Sequence, residues 1–256
     1  MEKPLNLKGR LISFDHIIKQ IVYYLSALPH VRSIILVGSY ARGDINKYSD
    51  VDLLLITDMA SSRNETLAIL PLEERIRELS LLPYPSAIFT RLYIEGSLFV
   101  AHVLKEGRVL YDDGYYANLR RFPFNVSRKS LLLQWRMLKQ RVKLYDDLSI
   151  YGEVFIDCLS HLYSITKNVA VITLAMKGDL SFNKQKALNR FKQLFPQLRE
   201  DIAELNRLKA FSLIWSKGAS IKEPFSPINC RERVEIYLNR LRKIISVVEL
   251  HEFATN

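Results

Sequence analysis

Apolar positions along the chain fall into two textures, with the change near residue 127. Upstream, Leu11, Phe14, Ile18, Ile21 and Leu25 recur at helical spacing and predict a helix over residues 11–28. The run SIILVGS, residues 33–39, is short and β-branched, which predicts a buried strand ending in a glycine turn. VDLLLIT, residues 51–57, predicts a second buried strand. Residues 65–82 read as a helix, and SAIFTRL, residues 86–92, as a third strand after the breakers Pro83 and Pro85. A further helix is predicted over Ile94 to Lys105, with Gly107 as its stop.

From residue 127 onward the periodicity is helical throughout. Ser127 is placed to cap the segment SRKSLLLQWRMLKQRVKLYDD. A long apolar helix should then end at Gly178, and the segment FNKQKALNRFKQLFP should end at Pro196. LREDIAELNRLKAFSLIWSKG runs to Gly218, RERVEIYLNRLRKIISVVELHEF lies near the C-terminus, and the prolines of residues 218–229 mark a loop. Five helices with short connections predict an up-and-down bundle. The expected organisation is therefore two domains, 1–119 and 120–256.

Charge sharpens that division. Residues 1–119 carry 13 Lys and Arg against 14 Asp and Glu, whereas residues 120–256 carry 24 against 13. The whole excess of the +10 chain lies in the helical half, where a positive field would draw an anionic small molecule, a polyphosphate or a nucleic acid. Solvated basic helix faces serving solubility account for the same numbers. The chain shows neither a leader pattern nor about 18 uninterrupted apolar residues, so the expectation is a soluble, cytoplasmic protein without a membrane partner. Cys158 and Cys230 lack metal-ligand spacing and are expected as free thiols.

The chemistry concentrates in VGSYARGDINKYSDVDLLLI, residues 37–56. Asp50 and Asp52 are two apart, so on extended chain both carboxylates leave the same face. Two like charges opening a Val/Leu strand call for a cation, and hard oxygen ligands suit Mg²⁺ shared with substrate phosphates. Gly38 permits close backbone approach, and exposed N–H groups together with the Ser39 hydroxyl suit phosphate oxygens. If residues 40–43 begin a short helix, its dipole adds to this. A Gly-Ser turn or a DxD pair alone is commonly structural; joined in this order to two buried strands, they are far more specific.

These residues resemble a known family. Gly38-Ser39, Ala41-Arg42-Gly43 and Ser49-Asp50-Val51-Asp52-Leu53 match the GSxARG…SDxDL signature of the nucleotidyltransferase superfamily, which includes DNA polymerase beta, CCA-adding enzymes, aminoglycoside nucleotidyltransferases and the minimal nucleotidyltransferases. The resemblance covers residues 30–112, including KEGRVLYDD, and is closest to the minimal type. It implies an α+β fold: a small mixed sheet with flanking helices of polymerase beta type, followed by an all-α bundle like those of aminoglycoside nucleotidyltransferase-like and HEPN-type proteins.

The resemblance also implies roles. Gly38 and Ser39 would contact the triphosphate of an NTP, Asp50 and Asp52 would be catalytic ligands of Mg²⁺, and Arg42 would either bind phosphate or brace the turn by a salt bridge to Asp44. The reaction would transfer a nucleoside monophosphate to a hydroxyl on a small molecule, a protein or an RNA end, releasing pyrophosphate. Active members usually carry a third carboxylate on the following central strand. SAIFTRL has none; Ser86 and Thr90 are weak substitutes, Glu95 lies beyond it, and Asp112 and Asp113 belong to the domain exit.

The alternative is therefore an impaired, nucleotide-binding or antitoxin-like protein acting through a protein partner or as a homodimer. Glu153, four residues before Asp157, is the helical-half candidate for an acceptor-side base, although acids at a helix start also answer its dipole. His161 is spaced to pair with Asp157, with a structural histidine as the alternative. No arginine is followed four to six residues later by histidine after residue 120, which argues against HEPN ribonuclease chemistry.

Overall fold

The computed structural model describes residues 5–7, 10–12, 14–46, 48–58, 79–151, 155–217 and 231–253. The chain divides into two compact units, Met1–Asn125 and Val126–Asn256.

In the first unit a short hairpin of β1 (Leu5–Leu7) and β2 (Arg10–Ile12) precedes α1 (Phe14–Ser26). The predicted helix thus begins later than residue 11, because Leu11 pairs with Asn6 across the hairpin. The rest of the stripe holds: Ile18, Ile21 and Leu25 are buried. A four-stranded mixed sheet follows, built from β3 (Val31–Val37), β4 (Val51–Thr57), β5 (Leu79–Pro85) and β6 (Arg108–Asp112) in the order β5-β4-β3-β6. β3 is antiparallel to β4 and β6, and β4 is parallel to β5.

Both faces of the sheet are covered, which is why β3 and β4 read as unbroken apolar runs. Ile34, Leu36, Val51, Leu53 and Leu55 pack with Ile17, Ile21 and Leu25 of α1. Ile35, Val37, Leu54 and Ile56 pack on the other face with Phe89, Tyr93, Val100 and Val103. Each such fully buried side chain contributes about 1.5–3 kcal/mol, so register is pinned on both sides.

Two predictions need correction here. SAIFTRL is not a strand but most of α3 (Ser86–Ile94), and the third long strand is LSLLPYP, which immediately precedes it. Residues 79–82, read as helix, belong to that strand; residues 65–78 lie outside the described residues. The breakers misled because β5 is an edge strand. Pro83 and Pro85, two apart, turn their nitrogens to the same side, where an edge strand forgoes no ladder bond. α4 (Leu98–Glu106) is capped by Ser97, whose Oγ accepts the Phe99 N–H, and ends at Gly107 as predicted. α5 (Tyr115–Leu119) completes the unit.

The second unit is helical: α6 (Arg128–Lys143), α7 (Ile156–Met176), α8 (Lys184–Leu194), α9 (Arg199–Arg207), α10 (Lys209–Lys217) and α11 (Arg231–Phe253). Ser127 Oγ accepts the Ser130 N–H as the expected cap. α7 packs against each of the other five and is buried on all but one face, the stripe marked by His161 and Asn168. The predicted segment 198–218 is two helices, since a tight turn at Leu208 separates α9 from α10. Trp135, Tyr145 and Tyr163 are buried core residues. Among the described residues, no single helix is long and apolar enough to cross a membrane.

Candidate functional site

The sheet register brings the two halves of the signature together. Antiparallel pairing sets Val37, the last residue of β3, opposite Asp52, the second residue of β4. The chain leaves β3 at Gly38 and winds directly into α2 (Gly38–Arg42). Gly38 has φ +75°, and a Cβ there would stand well inside van der Waals distance of Asp52 Oδ2 and 3.4 Å from its Cγ. Only glycine lets the turn lie against that carboxylate. Asp52 is half-buried between the buried Val51 and Leu53, and Asp50 is half-buried just before the strand. Ser39 is also half-buried, and its carbonyl accepts the N–H groups of Gly43 and Asp44, closing α2.

The loop between α2 and β4 is tied by the motif's own polar residues. Ser49 Oγ accepts the Asn46 N–H at 2.9 Å, and Asn46 Oδ1 accepts the Tyr48 N–H at 2.9 Å. Ser49, to which the sequence pattern assigns no chemical role, thus shapes the approach to Asp50.

Arg42 closes the site from behind. Its Nε donates to Asp44 Oδ2 at 3.1 Å and its Nη1 to Glu106 Oε2 at 2.9 Å. Burial works against its charge, but the two carboxylates outweigh that and raise the guanidinium pKa further. Glu106 Oε2 also lies 3.1 Å from His102 Nε2. Glu106 lies in the KEGRVLYDD segment of the resemblance and His102 one turn before it, but the sequence assigns neither of them a role in the site.

The position beside the carboxylate on the next strand is Ser80, which pairs with Asp52 in the parallel register of β4 and β5. β5 carries no acidic residue. The substitutes considered on SAIFTRL are occupied elsewhere, because that segment is helical. Ser86 Oγ donates to Asp58 Oδ1 at 3.1 Å, and Thr90 Oγ1 is 2.7 Å from Tyr115 Oη. Asp112 is structural. Burial pushes its pKa up, but the Ser33 hydroxyl and the N–H groups of Tyr116 and Ala117 bind its carboxylate and the balance is a lowered pKa. Asp113 pairs with Arg32. Among the described residues no three of His, Cys, Asp and Glu form a metal-binding group.

The donor set is of a kind that suits a hard divalent cation. Two half-buried carboxylates beside a turn that only glycine permits match Mg²⁺ held partly by substrate phosphates, which needs only one or two protein carboxylates.

In the helical unit, Glu153 lies outside the described residues. Of the two readings of His161, a pair with Asp157 or a structural histidine, the structure fits the second: its Nδ1 lies 2.8 Å from Tyr145 Oη. The basic residues there are unequal. Arg190 pairs with Asp179 and Lys139 with Glu249, whereas Lys167 is 8% exposed with its Nζ 4.2 Å from the Tyr163 ring centroid. Burial, followed by the charges of Lys184 and Lys209, pushes the Lys167 pKa down to about 7.

Residues 18–110 match the model described as nucleotidyltransferase domain. The fold is similar to that of spectinomycin adenyltransferase AAD(9) from Enterococcus faecialis, solved with ATP and spectinomycin, at 12% identity and a TM-score of 0.51, covering 89% of this chain and 99% of that one. A nucleotidyltransferase-like protein from Exiguobacterium sibiricum matches at 17% identity and a TM-score of 0.37, covering 91% of this chain and 76% of that one. No curated protein matches the sequence.

Proposed function

From the premise that residues 18–110 are a nucleotidyltransferase domain, we propose that the chain transfers a nucleoside monophosphate from an NTP to a hydroxyl acceptor, releasing pyrophosphate. The observation that carries this reading is the seating of the Gly38 turn directly against the Asp52 carboxylate. This chemistry requires phosphate oxygens and carboxylate to converge, and a register that sets the Gly38 turn beside Asp52 supports that reading.

In this reading the Gly38 backbone admits the triphosphate at close range and the Ser39 hydroxyl donates to it. Asp50 and Asp52 would hold Mg²⁺, which when bound would neutralise charge on the triphosphate and acidify the attacking hydroxyl. Positioning carries most of the remaining acceleration, since phosphoryl transfer needs little covalent help from the protein. The ATP and spectinomycin of the AAD(9) structure support an NTP donor and a small-molecule acceptor.

The test is pyrophosphate release from each of the four NTPs with Mg²⁺ across hydroxyl acceptors, including antibiotics, proteins and RNA ends. Release should fall by roughly 10³-fold in Asp52→Asn, equivalent to ~4 kcal/mol of lost transition-state stabilisation. Undiminished release in that variant would remove Asp52 from the mechanism.

A second reading is favoured by one observation: Ser80, not a carboxylate, stands beside Asp52 on β5. A nucleotide-binding domain weakened in catalysis would bind Mg-NTP and act through a protein partner. It predicts tight Mg-NTP binding with no pyrophosphate release across the same acceptors.

A further inference from the structure

We propose that Glu106 is a positioning residue for the phosphate-binding turn, holding it through Arg42, and that Arg42 serves as this brace and not as a direct phosphate ligand. The consequence for nucleotide affinity rests on the reading above; the brace itself rests on geometry alone.

The turn is held on one side by Tyr40 and Ala41, which pack partly buried against the core of α1 and the sheet, and its far end needs a separate anchor. α2 is five residues long, contains no buried residue and has no side-chain N-cap, and a helix of that length does not persist unaided. Its last residue, Arg42, spreads its fork between two carboxylates, Asp44 just past the helix and Glu106 at the end of α4. Glu106 is the fixed end of this link. Its side chain is 13% exposed, its Oε2 is also held by His102 one turn earlier, and α4 is anchored through Val100 and Val103 to the same core cluster as Ile35 and Val37. Rigidity is thus carried from the sheet through α4 and Glu106 to Arg42, and from Arg42 to the turn at Gly38 and Ser39.

The chemistry suits a brace. A guanidinium presents several donors in a planar fork and satisfies two carboxylates at once, which a lysine ammonium does not reproduce with the same geometry. With Nε and Nη1 committed to Asp44 and Glu106, the guanidinium is aimed at the domain's own carboxylates.

Two measurements on the full chain test this. Backbone hydrogen exchange, without nucleotide, should quicken across residues 39–44 in Glu106→Gln and in Arg42→Lys, while protection in β4 stays unchanged. Unaltered exchange in residues 39–44 would overturn the brace. Equilibrium binding of Mg-ATP, Mg-GTP, Mg-CTP and Mg-UTP should weaken roughly tenfold in Glu106→Gln. The double variant Arg42→Met with Glu106→Met should bind no more weakly than Arg42→Met alone. Full affinity in Glu106→Gln beside a large loss in Arg42→Met, or losses that multiply in the double variant, would make Arg42 a phosphate ligand and contradict the proposal. Absence of nucleotide binding by the wild-type chain would count against the nucleotide site, and the exchange arm would still decide the brace.

Discussion

Gly38 and Asp52 are fourteen positions apart in sequence and in near contact in space, so each restricts what the other position tolerates. Gly38→Ala would place a methyl group against Oδ2 and impose a positive φ on an L side chain, costing about 2–3 kcal/mol. The expected result is a lowered denaturant midpoint together with lost Mg-NTP binding; an alanine variant that binds normally would contradict the close approach. These residues were legible because both are costly to the fold unless a site requires them: an aspartate inside a Val/Leu strand gives up apolar burial, and a glycine at the neighbouring strand's end gives up backbone entropy. Glu106 was illegible for the opposite reason. An acid closing a helix and followed by glycine looks like any solvated surface residue, and only the packing of α4 carries it to Arg42, 64 positions away.

At the level of elements, the decisive feature is the parallel pairing of β5 with β4, which sets Ser80 at the side of Asp52. Ser80→Asp would supply a third carboxylate at that side and should tighten divalent-ion affinity and raise pyrophosphate release by about an order of magnitude or more. Metal titration with Mn²⁺ and the release assay check this, and unchanged values would mean that the register position does not face the metal. β3 and β4 were read correctly from sequence because both of their faces are buried and the apolar run has no competing periodicity. β5 was not. Its prolines resemble breakers wherever an edge cannot be recognised in advance, and edges are a property of the assembled sheet. SAIFTRL likewise mixes β-branched and aromatic residues that suit a strand, yet tertiary packing of Phe89 and Tyr93 onto the sheet fixes it as a helix.

At the level of the whole molecule, the excess charge of the helical half meets the cost of burial at Lys167. Its ammonium is largely withdrawn from water among Lys184 and Lys209, so the folded pKa, about 7, lies below the ordinary 10.5. Between those values the unfolded chain binds the extra proton, so stability of the helical unit should rise with pH across that interval; below about 7 the full cost of the buried charge remains. Lys167→Met should raise the melting temperature most near neutral pH and flatten the dependence, as thermal melts across that range would show. A melting temperature lowered at every pH would contradict this. The helical half was legible as helices, from periodicity and from Ser127, but the role of α7 as its buried centre was not, since an apolar helix does not reveal how many neighbours surround it. The central claim, a nucleotide and Mg²⁺ site at the junction of β3, α2 and β4, is most directly tested by equilibrium binding of NTPs, with and without Mg²⁺, to the wild-type chain and to Asp52→Asn. The account predicts Mg²⁺-dependent binding by the wild type that is lost in a variant melting at the same temperature; equal binding by both, or none by the wild type with any NTP, would contradict it.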